Sequence, residues 1–212
     1  MLRAGSRSTP RPTAMPTLHK LFVVAAAALV IVAGSTACGS TADRSRTALS
    51  GSATFAPIAQ VLRHPRCLNC HPSGDRPHVG DDRREHAMNV MRGRDGHGMP
   101  AMHCAACHQD RNQDGAHVPG APHWHLAPRS MGWQGLDDHD LAESLKDRAK
   151  NGDRSLQDLR QHIATDALVL WGWQPGVDRE PVPMPHDAFV AAFDAWLAAG
   201  APSPAPGTTT TF

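Results

Sequence analysis

Two five-residue runs carry the chemistry of this chain: Cys67-Leu68-Asn69-Cys70-His71 and Cys104-Ala105-Ala106-Cys107-His108. Each is a CxxCH pattern, the attachment signature of a c-type haem. Two thiols with two residues between them reach the two vinyl groups on one edge of a porphyrin and form thioethers. The histidine that follows then lies under the iron and offers an imidazole nitrogen as the proximal ligand. Two copies predict two covalent haem c groups. Cys67, Cys70, Cys104 and Cys107 are the attachment points, and His71 and His108 are iron ligands. Thiol pairs also build four-thiolate zinc sites and redox dithiols. Neither gives a role to a histidine directly after both pairs, and neither suits an exported chain as well.

Each iron has a sixth position, and the choice between His and Met tunes its potential. Fourteen histidines and eight methionines supply many candidates. His64 and His103 lie too close to the motif cysteines to swing to the far face of their own haem, so either could serve only the other one. The stronger candidates are His86, His125, Met131 and His162, with Met99 and Met102 behind them. His125 sits in the stiff segment Pro122-His123-Trp124-His125-Leu126-Ala127-Pro128, and His86 follows the charged turn Asp81-Asp82-Arg83-Arg84-Glu85. A surface histidine is the ordinary reading of any one of them, but two irons each need a partner or must stay open. Asp110-Arg111-Asn112-Gln113-Asp114-Gly115 matches the first half of a calcium loop. Its closing glutamate is missing, with Ala121 in that place, so an ordinary acidic turn is expected.

Cysteine use fits the N-terminus. Arg3, Arg7, Arg11 and Lys20 precede an apolar run from Leu21 to Ala33, and Gly34-Ser35-Thr36-Ala37 follows. That is the layout of a secretory signal over residues 1–38. Met15 offers an alternative start. Thirteen apolar residues are too few to span a bilayer comfortably. Cys38 stands where a lipoprotein cysteine would stand; Ala37 and Thr36 suit that reading, while Ser35 replaces the usual leucine. The alternative is cleavage after Ala37 or Ala42. A lipid on Cys38 would tether the domain to a membrane surface without spanning it. The expected compartment is the periplasm.

Residues 39–53 read as a flexible linker, 54–201 as a single haem-binding domain and 202–212 as a disordered tail. The domain is of ordinary size, about 150–160 residues with the tail included. Four basic and no acidic residues precede Cys38, which leaves 17 basic against 20 acidic residues in the rest. No basic stripe or nucleic-acid-reading motif is present. Tyrosine is absent and there are only five phenylalanines, so much of the apolar surface is expected to come from the haems. The apo-chain should therefore fold poorly, by the logic of metal-coupled folding.

The fold class expected is mainly α with extensive loops, a compact dihaem cytochrome c domain. Ile58, Val61 and Leu62 share a helical face within residues 55–66. Asp137 or Asp138 caps a helix with Leu141 and Leu145 on its stripe, and Ser155 caps another with Leu156, Leu159 and Ile163. A last helix over residues 187–199 turns Phe189, Phe193, Trp196 and Leu197 inward and stops at Gly200. Residues 72–103 and 109–135 are rich in Pro, Gly and charge and read as loops. Only 33 residues separate Cys70 from Cys104. That is too short for two tandem monohaem domains, so both haems belong to one domain.

The segments Arg66–Pro77, Cys104–His108, Val118–Gly135 and Trp171–Gly176, with their runs WHLAP, MGWQG and WGWQPG, resemble small bacterial dihaem cytochromes labelled "isoquinoline 1-oxidoreductase subunit". The resemblance covers about residues 54–202, and His125, Met131 and His162 fall on positions the group also uses. The enzyme so named is a molybdenum hydroxylase with iron–sulfur clusters. All four cysteines beyond Cys38 belong to CxxCH motifs, so no thiols remain for such a cluster. The resemblance therefore implies a cytochrome that takes electrons from a periplasmic molybdenum hydroxylase.

Three functions compete. The first is an electron carrier between an exported dehydrogenase and the respiratory chain, its acidic balance favouring a partner with a basic patch. The second is a dihaem peroxidase, with His86, Arg83 or Arg84 polarising peroxide. The third is a haem-based ligand sensor. Lipidation is tested by the intact mass of mature protein. An acyl-modified Cys38 is the expected N-terminus, and an unmodified one at Asp43 would remove the anchor.

Overall fold

The computed structural model describes residues 41–211. The signal-like residues 1–38, with Cys38, lie outside the described residues. Six helices follow in order: α1 (Thr41–Leu62), α2 (Pro65–Leu68), α3 (Asp138–Lys146), α4 (Leu156–Thr165), α5 (Ala167–Leu170) and α6 (His186–Ala198). Among the described residues no helix is long and apolar enough to cross a membrane.

The helical half builds a core from side chains alone. The apolar spacing of α1 buries Phe55, Ile58, Ala59, Val61 and Leu62. These meet Phe189, Phe193 and Trp196 of α6, with Phe55 and Phe193 each 5.3 Å from the Trp196 ring centre. Leu141 and Leu145 of α3, and Leu159 and Ile163 of α4, complete the cluster. The caps are those the sequence predicts. Asp137 accepts from the Asp140 N–H at 2.8 Å. Ser155 and Asp158 form a reciprocal capping box, which satisfies donors that a helix start leaves bare. The scarcity of aromatics thus understates the core, because all four of the phenylalanines and tryptophans on α1 and α6 are buried in one cluster.

Two expectations change. Residues 39–53 do not read as a linker beyond Gly39 and Ser40, since α1 already begins at Thr41. Residues 202–211 are not a loose tail. Pro202 accepts from the Trp196 indole at 2.9 Å, and Pro204 is among the most deeply buried residues. The two corrections share a cause. Where the C-terminal segment crosses α1, a side-chain carbon on Gly51 would stand 2.4 Å from the Ser203 carbonyl oxygen. A glycine at that point permits a backbone approach that composition alone does not reveal.

Asp138 locks this arrangement. Its carboxylate, almost fully buried, accepts from Arg63 Nη2 at 2.6 Å and Nε at 3.2 Å. It also accepts from the N–H and hydroxyl of Thr210, at 2.9 and 2.6 Å. A helix start, the end of α1 and the C-terminal segment therefore share one carboxylate.

Residues 69–135 are loops with two short antiparallel hairpins. β1 (His78–Val79) pairs with β2 (Arg84–Glu85), and β3 (Gly98–Met99) with β4 (Met102–His103). The buried guanidinium of Arg92 holds this half from inside, donating to the carbonyls of Ala127, Pro72 and Gly74. Fold class is helices with extensive loops, as expected. Asp138→Ala should lower unfolding stability by about 3–5 kcal/mol, because it leaves a buried arginine charge without its partner; urea denaturation measures it.

Candidate functional site

Both CxxCH runs adopt the same helical turn. His71 N–H donates to Cys67 O at 3.1 Å, and His108 N–H to Cys104 O at 3.0 Å. Within each turn the second cysteine N–H also reaches the first cysteine carbonyl, at 3.1 and 3.2 Å. A turn of this kind puts residues i, i+3 and i+4 on one side, so two thiols and an imidazole face the same space. His64 caps the first turn through Nδ1, accepting from the Arg66 N–H at 3.3 Å. None of the four thiols is in a disulfide. Burial pushes the Cys67 thiol up to about 12, with Cys70 adding to it. Burial likewise pushes Cys70 up to about 11.

The two histidines are supported alike. His71 Nδ1 is 2.8 Å from Met131 O, and His108 Nδ1 is 2.7 Å from Pro119 O. A carbonyl can only accept, so each Nδ1 carries the proton and each Nε2 is left with a free lone pair. This is the usual outer-shell arrangement of a metal-bound histidine. Each ring also lies flat on a tryptophan: His71 on Trp133 with centres 3.4 Å apart, and His108 on Trp124 with centres 4.5 Å apart. Burial pushes His71 down to about 3, and it also lowers His108. Both imidazoles are therefore neutral, the form that ligates.

Two clefts open at these turns. The first, about 1110 Å³ with its mouth included, has Cys67, Cys70 and His71 on its wall. Leu62, Leu168, Val169 and Phe193 line it, with Arg66, Trp133, Trp171, Arg154, His125 and His162. The second, about 500 Å³, has Cys104, Cys107 and His108 with His86, Met88, Met91, Met102, His103 and His125. His125 is common to both.

The remaining candidates separate on geometry. His86 faces His108 edge-on, with ring centres 6.1 Å apart. Two imidazoles bonded at about 2 Å to opposite sides of one metal have centres about 6 Å apart. His86 Nδ1 is held by the Ala87 carbonyl at 2.8 Å. His125 Nδ1 is held by the His123 carbonyl. His162 projects from α4 with Nδ1 3.3 Å from Asp166 Oδ2. All three thus keep Nε2 free. Met131 is differently placed, since its carbonyl sits behind His71, on the side away from Nε2. Met131 also lines the first cleft. Met99 is exposed and lines neither cleft, and Arg83 and Arg84 line neither.

One other sequence reading is resolved. Asn112 accepts from the Gly120 N–H at 3.0 Å and from the Trp171 indole at 2.9 Å. Its oxygen is committed to the protein, so the DxNxDG run is a structural turn. Among the described residues no three His, Cys, Asp or Glu side chains converge on a point that could hold a metal ion. The spacing of the motifs revealed the thiols and proximal histidines. It did not reveal Trp124, Trp133 or the carbonyls of Pro119 and Met131, whose partnership depends on a long-range fold. Compared with protein-family models, curated proteins and solved structures, the chain matches none.

Proposed function

We propose that this chain is an exported dihaem c-type cytochrome that carries electrons. The periplasm is its compartment. Its donor is a dehydrogenase of the molybdenum-hydroxylase type and its acceptor the respiratory chain. The observation that carries this reading is the duplicated support: two CxxCH turns, each with a neutral histidine oriented by a carbonyl and stacked on a tryptophan. Zinc or dithiol chemistry asks for neither oriented imidazole.

Cys67, Cys70 and His71 would hold one haem c at the first cleft, and Cys104, Cys107 and His108 the other at the second. When bound, haem iron supplies reversible one-electron chemistry. His86, whose ring is 6.1 Å from that of His108, would supply a further imidazole ligand at that site. For the first cleft we assign His162, because a side chain fixed on a helix and by Asp166 is held more closely than one on a loop. His125 then forms the wall that the two clefts share. Six-coordinate irons with two histidines each suit a carrier, since no position stays open for substrate. The peroxidase reading loses support, because Arg83 and Arg84 line neither cleft. A lipid on Cys38 would keep the carrier at the membrane surface.

Expression with cytochrome c maturation machinery should give two haems per chain by mass and pyridine haemochrome. Cys67→Ala and Cys104→Ala should each lose or loosen one while the other stays attached. One haem, or zinc, in the parental protein would overturn the reading. Reduced protein should not bind carbon monoxide. His86→Ala should bind it at one haem only, seen as a new Soret component with about half the amplitude of a fully converted control.

A further inference from the structure

Two buried donors in the first cleft have no acceptor. Trp133 is buried and its indole Nε1 has no hydrogen-bond partner. The other tryptophans of the helical half are paired: Trp171 with Asn112 Oδ1, Trp173 with Met184 O and Trp196 with Pro202 O. Arg66 has a side chain only 1% exposed, and its Nε is likewise bare. One Nη of Arg66 reaches Asp81, a carboxylate that is itself 43% exposed. The guanidinium carbon lies 5.7 Å above the Trp171 ring. Leaving such a donor unsatisfied in the interior is costly, and more so when it is charged. Both residues line the cleft that holds Cys67, Cys70 and His71, whose other walls are largely apolar. A cleft of that kind is matched by a ligand with a flat apolar body and acceptor oxygens at its edge.

We infer that Arg66 and Trp133 form a carboxylate-binding subsite of the first cleft, which holds a propionate of the haem attached at Cys67 and Cys70. The inference rests on the haem reading above and adds the group that anchors the acidic edge. A carboxylate supplies the missing acceptor for both donors. It also partners a guanidinium whose present carboxylate is half in water. Charge-assisted bonds of this type are about twice as strong as neutral ones. Arg154, on the same wall, adds a second positive charge at the cleft.

Two variants isolate the donors. Trp133→Phe keeps a ring to stack on His71 and removes only the N–H. Arg66→Lys keeps the charge and a partner for Asp81 and removes Nε. Both are made in the haem-loaded full chain. Redox titration and redox-difference infrared spectra are then compared with the parental protein in carboxylate-free buffer. The expected result is a shifted midpoint potential at one haem and a displaced carboxylate band in each variant, with the second haem unchanged. Unmoved potential and unmoved carboxylate bands, with two haems still attached, would overturn the subsite and leave the haem reading standing. A band that appears only when acetate is added would assign a free carboxylate and also overturn it. A parental protein without haem would instead remove the reading on which the subsite rests.

Discussion

The residues between Val118 and Gly135 are the constraint on which the site depends. This one stretch supplies the carbonyls of Pro119 and Met131 to the two motif histidines. It also supplies the two indole rings, Trp124 and Trp133, on which those histidines lie. The hydrogen bond fixes which nitrogen is protonated, and the ring fixes the plane of the imidazole. Together they remove the two freedoms that an unsupported histidine side chain would retain. The same stretch ties the motifs to each other. Ala127 N–H donates to Cys70 O at 3.1 Å, and Leu126 N–H donates to Gly96 O at 2.9 Å. Gly96 O in turn lies 3.9 Å from the Cys104 thiol. Two turns far apart in sequence are thereby joined through two adjacent backbone amides.

The helical half and the loop half are stabilised by different means. Between α1, α3, α4 and α6 the apolar side chains meet directly, and burial at about 25 cal/mol per Å² accounts for their association. Around residues 69–135 few large apolar side chains are available. Order there comes from buried hydrogen bonds, those of Arg92 above all. Such bonds are costly to break because an unpaired buried donor loses water without replacement. This division places the first cleft at the junction and the second within the loop half. Leu62, Ile163, Phe189 and Phe193 form one wall of the first cleft, and the motif turn and Trp133 form another. The helices carry a core of their own, built from side chains alone.

What was legible in sequence follows from range. The CxxCH turns, the caps at Asp137 and Ser155 and the stripes of α4 and α6 are local patterns, and they stand where the spacing put them. α1 was seen only in its apolar second half, because its first half is held by a small-residue approach at Gly51 and not by a hydrophobic stripe. The C-terminal residues were read as loose on composition. Their order comes from Asp138, which lies 72 positions from its partner Thr210. No window of sequence contains both.

The same reasoning separates the candidate sixth ligands. Sequence puts His125 and His86 ahead of Met131 and His162, since each is a donor in a suitable setting. The structure adds the direction in which each ring is held. A metal-bound imidazole presents Nε2, so whatever touches Nδ1 lies behind it. Met131 touches Nδ1 of His71 through its backbone carbonyl, and it also lines the first cleft. The His86 ring stands 6.1 Å from that of His108. His125 differs from both, because it lines the two clefts at once, and that shared position depends on a long-range fold which no short window of sequence contains.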